Sequence, residues 1–141
     1  MKLILIIIAV LIVALPIGIR LFPVRPEKWH VDPFAVTTAN ARFCPAPGER
    51  FFMENPSLED LSAIITSTAR TSVLAGSAAE GRITWVTRSK VMGFPDVTTA
   101  AVKDGRLCIV ARQVIGSQDW GVNHARLNGW LKAAFGIDPD A

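Results

Sequence analysis

Residues 116–135 read GSQDWGVNHARLNGWLKAAF. The stretch opens as a turn and continues as one amphipathic helix, because Leu127, Trp130, Leu131 and Ala134 recur at i, i+3, i+4 and i+7 and share a face. Trp120 projects to the same side one turn earlier. So does Asn123, where an apolar residue is expected. An amide on a buried face needs partners, since leaving it without any costs roughly 1–3 kcal/mol. Asp119 stands where an N-cap or first-turn acid belongs, its charge favoured by the positive end of the helix dipole. Arg126 flanks the apolar face. Spacings of four and three put Asp119, Asn123 and Arg126 on adjoining faces of one helix start, within reach of a single polar network. That network reads as a capped, docked helix whose Asn pins a neighbouring loop, the commoner arrangement, or as a binding or catalytic constellation.

Working back along the chain, the period changes from helix to strand. Asp104-Gly105 is a two-residue hairpin signal between a β-branched run, 97–103, and a second apolar run, 106–115. Before them, 82–91 alternates, with Ile83, Trp85 and Thr87 on one side and Arg82, Thr84, Val86 and Arg88 on the other. Gly93-Phe94-Pro95-Asp96 separates these strands as a turn, and 71–75 is a further short strand. Ser57 caps an earlier helix with Asp60 three residues on, and Leu58, Leu61, Ile64 and Ile65 give it an apolar face through about Ala69. The order α-β-β-β-β-α predicts an α+β domain over 57–136, with a four-stranded antiparallel sheet, two helices on one face and a short tail, 137–141. On that plan Arg82, Arg88 and Lys90, and on another strand Arg106 and Arg112, form an open basic face suited to anionic headgroups or an acidic partner, or merely solvated.

The N-terminus has a different character. Residues 3–19, LILIIIAVLIVALPIGI, carry no charge and are just long enough to cross a bilayer core. A cleaved signal peptide is the rival, but Pro16 and Gly18 make a poor cleavage site, so residues 1–22 are read as an uncleaved anchor broken near Pro16. Between it and the domain, 23–56 is a connecting segment with six prolines, yet Trp29, Phe34, Phe43, Phe51 and Phe52 make it too apolar for a disordered tether. It is expected to lie over the core or at the membrane interface. Arg20, Arg25 and Lys28 come after the apolar run and would by the positive-inside rule hold the domain in the cytoplasm, whereas short signal-like anchors commonly export the domain attached to them. The expectation adopted is a single-pass protein of the bacterial inner membrane with a periplasmic domain.

Charge gives little direction. Of 15 Lys and Arg, Lys2 and Arg20 lie in the anchor, which holds none of the 12 Asp and Glu, so the rest is close to balanced and no nucleic-acid partner is expected. Cys44 and Cys108 either pair, in an oxidising compartment, or stay small buried residues in a reducing one. With His30 and His124 they make the count of a zinc site, but no spacing matches a metal motif, and no cofactor is expected. Phosphate loops, dinucleotide fingerprints and nucleophile elbows are all missing from the sequence. Asp96 and Asp119 remain as a candidate carboxylate pair.

Asp119-Trp120-Gly121-Val122-Asn123-His124-Ala125-Arg126 resembles the C-terminal signature of the family called domain of unknown function 1499, which runs roughly S-D-L-G-x-N-x-x-R. Gly93-Phe94-Pro95-Asp96 is similar to its F-x-D turn, and Trp29-His30-Val31-Asp32-Pro33 to the entry of its short membrane-anchored bacterial members. The resemblance spans about residues 29–135, with Gln118 in place of the usual Ser. It implies a fold and a set of matching positions, and no activity. Together these readings predict a non-catalytic envelope interaction module, an accessory or assembly partner of a larger membrane complex, whose binding residues are Arg88, Asp96, Asp119, Asn123 and Arg126. A lipid- or small-ligand-binding domain with a cavity lined by Trp85, Trp120 and Trp130 is the alternative, and a hydrolase the third.

Overall fold

A computed structural model describes all residues, 1–141. In chain order it contains α1 (Lys2–Arg20), α2 (Pro26–Trp29), a 3-10 turn (Pro33–Ala35), β1 (Ala41–Phe43), α3 (Leu58–Thr66), β2 (Thr71–Ser77), β3 (Arg82–Arg88), β4 (Pro95–Lys103), β5 (Arg106–Gln113) and α4 (Val122–Phe135). The strands form one antiparallel sheet in the order β1-β5-β4-β3-β2. The architecture is α+β, but the sheet has five strands and not four. The added strand, β1, lies inside the segment read as a connector. It is three residues long, too short for alternation to register, and pairs with the edge of β5 through Ala41–Ala111, Arg42–Val110 and Phe43–Ile109.

Cross-strand partners share a face, so the register sorts the sheet. One face carries Ile83, Trp85, Ala100, Leu107, Ile109 and Ala111, all buried under Leu58, Leu61 and Ile65 of α3 and Leu127, Trp130 and Leu131 of α4. The two indole N–H groups inside this core are satisfied by α3 and the turn after it: Trp85 Nε1 donates to Thr66 Oγ1 at 3.1 Å and Trp130 Nε1 to Thr68 Oγ1 at 2.8 Å. Asp104 and Gly105 both take positive φ between β4 and β5, which is the geometry that makes this dipeptide a hairpin turn. The Ser57 hydroxyl caps α3 by accepting from the Asp60 N–H, and the helix ends at Thr66, earlier than the apolar pattern implied.

The opposite face is not open. Residues 26–42 lie across it as a strap. The Trp29 carbonyl accepts from Arg112 Nη2 at 3.1 Å and Thr99 Oγ1 at 3.4 Å, and the Arg112 guanidinium stacks 4.9 Å over the Trp29 ring. His30 Nδ1 meets Thr84 Oγ1 at 2.8 Å, and Thr84 in turn meets Thr99 at 2.8 Å. Arg106 stacks over Phe34, and Arg42 donates to the carbonyls of Pro33 and Val36. Val86, Val97, Ala101 and Val110 are buried beneath. The expected basic face is therefore partly covered: the Arg106 and Arg112 guanidinium groups stack on aromatic rings of the strap and Arg112 donates to its Trp29 carbonyl, while Lys90 stays exposed. Burial first, then the nearby Arg82, holds the His30 imidazole below its ordinary range, against Glu80. Cys44 continues the β1 register to oppose Cys108, and the two form a disulfide at the strap face.

At the N-terminus, α1 is one helix long and apolar enough to cross a membrane, and none of its residues is buried. It runs through Pro16 to Arg20 without the expected break. A proline inside a helix removes a single donor, and here the hydrogen bonds resume, with Leu21 N–H donating to the Ile17 carbonyl.

Candidate functional site

Of the five sequence-derived candidates, four meet at one end of the sheet. Asp96 sits near the start of central strand β4, paired with Thr87 and Gln113, so it belongs to the helix-covered face and not to a turn. Arg126 reaches down from α4 and donates to Asp96 Oδ2 at 3.2 Å and to Asn123 Oδ1 at 3.0 Å. The side chains of Arg126 and Asp96 are 17% and 14% exposed, so the pair is largely withdrawn from water. Asn123 is 1% exposed, and its backbone N–H donates to Asp119 Oδ2 at 2.9 Å.

Asp119 is not the N-cap of α4. The helix begins at Val122, after Gly121 at φ 79°, and Trp120 is left-handed as well at φ 54°. Asp119 instead stands two residues before the N-cap and accepts from the Gly121 and Asn123 N–H groups, closing the turn and satisfying two of the helix's free donors. This turn swings Trp120 out of the apolar face where periodicity placed it. It is 92% exposed, while Trp85 and Trp130 are buried in a filled core, so the three tryptophans do not line a common cavity.

The carboxylates titrate in opposite directions. Burial above all raises the Asp96 carboxyl above its ordinary range, with Arg126 opposing and Asp119 adding to the rise. Desolvation also pushes Asp119 up, but the hydrogen bonds from Asn123 and Gly121 outweigh it and hold this carboxyl below its ordinary range. Above the ion pair opens a cleft of about 450 Å³ whose lining includes Phe94, Asp96, Gln113, Asp119, Trp120 and Arg126. It offers a charged floor and aromatic walls, a combination suited to orienting a polar group.

Arg88 lies elsewhere. It projects from the strap side of β3 and holds the end of α1: Nη1 donates to the Ile19 carbonyl at 3.3 Å and the Gly93 carbonyl at 3.1 Å, and Nη2 to the Phe22 carbonyl at 2.9 Å. Arg20 answers from α1, donating to the carbonyls of Lys90 at 3.4 Å and Val91 at 2.5 Å. A guanidinium at a helix C-terminus meets unsatisfied carbonyls and the negative end of the dipole. Periodicity gave the correct face for Arg88 but could not supply a partner 66–69 residues away. Arg88→Ala is expected to speed amide exchange at Gly93 about tenfold, the equivalent of one charged hydrogen bond at about 1.5 kcal/mol. Unchanged exchange would mean the clasp does not hold the 89–94 loop.

His124 is removed from the cleft and meets Asp140 at 3.0 Å and Asn128 at 3.1 Å, and both cysteines are spent on the disulfide. Thus Asp96 and Asp119 converge, while the histidine and the thiols do not join them. No family model, curated protein or solved structure matches the chain.

Proposed function

We propose that the protein is a single-pass component of the bacterial cell envelope, with its domain on the periplasmic side, acting as a non-catalytic interaction module. The cleft over Asp96 and Arg126 is its recognition site, and a larger membrane complex is its setting. The observation that carries this reading is the cleft itself: a largely buried ion pair, fixed by Asn123 and Asp119, beneath an exposed indole that the core does not use. Such a floor fixes the orientation of a partner's polar group while Trp120 supplies contact area. The anchor is supported by the apolar α1 and by the Arg20 and Arg88 clasp, which ties span and domain together. The Cys44–Cys108 disulfide favours an oxidising compartment and outweighs the basic residues that flank α1. The resemblance of residues 93–96 and 119–126 to the domain of unknown function 1499 family belongs to the same proposal.

Native mass spectrometry of the full-length protein in mild detergent tests it. A stoichiometric protein partner is expected on the wild type and is expected to be lost from Trp120→Ala, which removes a side chain outside the core. A bare monomer in both overturns the interaction reading. A retained lipid or small molecule in place of protein replaces it with the ligand-binding one. Turnover by the purified protein that Asp119→Asn abolishes at unchanged melting temperature would overturn the non-catalytic assignment.

A further inference from the structure

We infer that the loop 89–94, together with Phe22, is a second membrane-contact surface, which seats in the anionic headgroup layer around the emerging α1 helix. The inference rests on α1 being a retained membrane span. A helix of 19 residues rises about 28 Å, close to the thickness of a bilayer core, so its last turn lies at the headgroup boundary.

The loop is held at that level by contacts already described. Arg20 donates to two of its carbonyls, at Lys90 and Val91, and Arg88 joins the Gly93 carbonyl to those of Ile19 and Phe22. The packing is as close as the backbone permits: Gly93 takes φ +75°, and a Cβ there would collide with Arg20 Cγ. The loop is internally fixed as well, since the Ser89 hydroxyl accepts from the Phe94 N–H at 2.9 Å.

Its outward chemistry suits one occupant. Val91 is 76% exposed at the tip, and Phe22 and Phe94 are exposed beside it. Around them Arg20, Arg25, Lys28 and Lys90 are exposed, against Glu27 alone. Apolar tips inside a basic ring, continuous with the end of a membrane helix, match the acyl boundary and the anionic headgroups above it. Ser89 and Phe94 of this loop also line the cleft over Asp96 and Arg126. The cleft therefore opens at headgroup level, and its partner approaches along the membrane surface.

The test uses the full chain in nanodiscs made from phosphatidylcholine and phosphatidylglycerol whose acyl chains carry bromine near the carbonyl end. Val91→Trp places a reporter at the tip, and its emission is read as the difference from wild type. Quenching of that difference signal by at least about half is expected relative to unbrominated discs, as is weaker quenching when phosphatidylglycerol is left out. Equal quenching without the anionic lipid overturns the role of the basic ring. An unquenched reporter on a protein that resists carbonate extraction overturns the surface and leaves the anchor standing. Release by carbonate removes the anchored reading and this surface together. Phe94→Trp, read the same way, guards against a local fault in the first variant.

Discussion

Reducing the Cys44–Cys108 disulfide is expected to lower the stability of the domain by about 4 kcal/mol. The bond joins positions 64 residues apart, and closing a loop of that length removes chain entropy from the unfolded state worth about 4 kcal/mol on the loop-closure estimate. The native state has little to set against the loss. The bond anchors β1, a strand of three residues at the sheet edge, and it lies where Arg42 gathers Pro33 and Val36 of the strap. Loosening it frees β1 and the strap together, exposing Val97, Val110 and Ala101. Urea unfolding of the full-length protein in detergent, with and without reductant, measures the effect. Trp85 and Trp130 report on the domain because both are buried, whereas α1 has no tryptophan. The strap and β1 are expected to lose amide protection first. A shift in unfolding free energy below about 1 kcal/mol would show that residual structure in the unfolded chain already supplies the constraint.

How much of this fold the sequence disclosed depends on where each signal resides. The helix 122–135, the alternation of 82–88 and the Asp104-Gly105 hairpin are local patterns, and all three appear in the structure. The network of Asp119, Asn123 and Arg126 is legible for the same reason, as spacings of four and three survive an N-cap displaced by two residues, from Asp119 to Gly121. Trp120 leaves the face that periodicity predicts because two consecutive left-handed residues, Trp120 and Gly121, break the helical repeat just before α4. The strap was unreadable for another reason. It is fixed through the Trp29 carbonyl, cation–π stacking and a threonine pair, none of which leaves an apolar period. Without β1, Cys44 had no register, so its opposition to Cys108 stayed open. Periodicity places Arg88 on a face but not against a partner, because the carbonyls it holds, Ile19 and Phe22, lie at the end of α1, remote in sequence.

Arg126→Met is expected to destabilise the domain by about 2–3 kcal/mol at neutral pH and by less in acid. Breaking a fully buried ion pair by removing one partner costs roughly 3–5 kcal/mol, and the residual exposure of 17% and 14% at this pair reduces the figure. Methionine keeps most of the volume, so the loss is electrostatic: the Asp96 carboxylate loses its counter-charge and Asn123 Oδ1 its donor. The sign of the pH dependence is set by Asp96. Burial already raises its folded-state carboxyl above the unfolded value, and the substitution removes the opposing Arg126 effect. Between the two values the folded state binds more protons than the unfolded state, so stability rises as pH falls through the folded value and levels off below the unfolded one. The variant's deficit should shrink over that interval, while Asp119, held below its ordinary range, works in the opposite sense at lower pH in both proteins. Urea titrations of wild type and variant at a series of pH values separate these contributions. The informative control is Asp96→Asn combined with Arg126→Met, which removes both charges and should recover part of the loss because no buried carboxylate remains unpaired. A deficit that is independent of pH, or a double variant worse than the sum of the singles, would show that Arg126 stabilises by packing and that the ion pair is not what fixes the floor of the cleft.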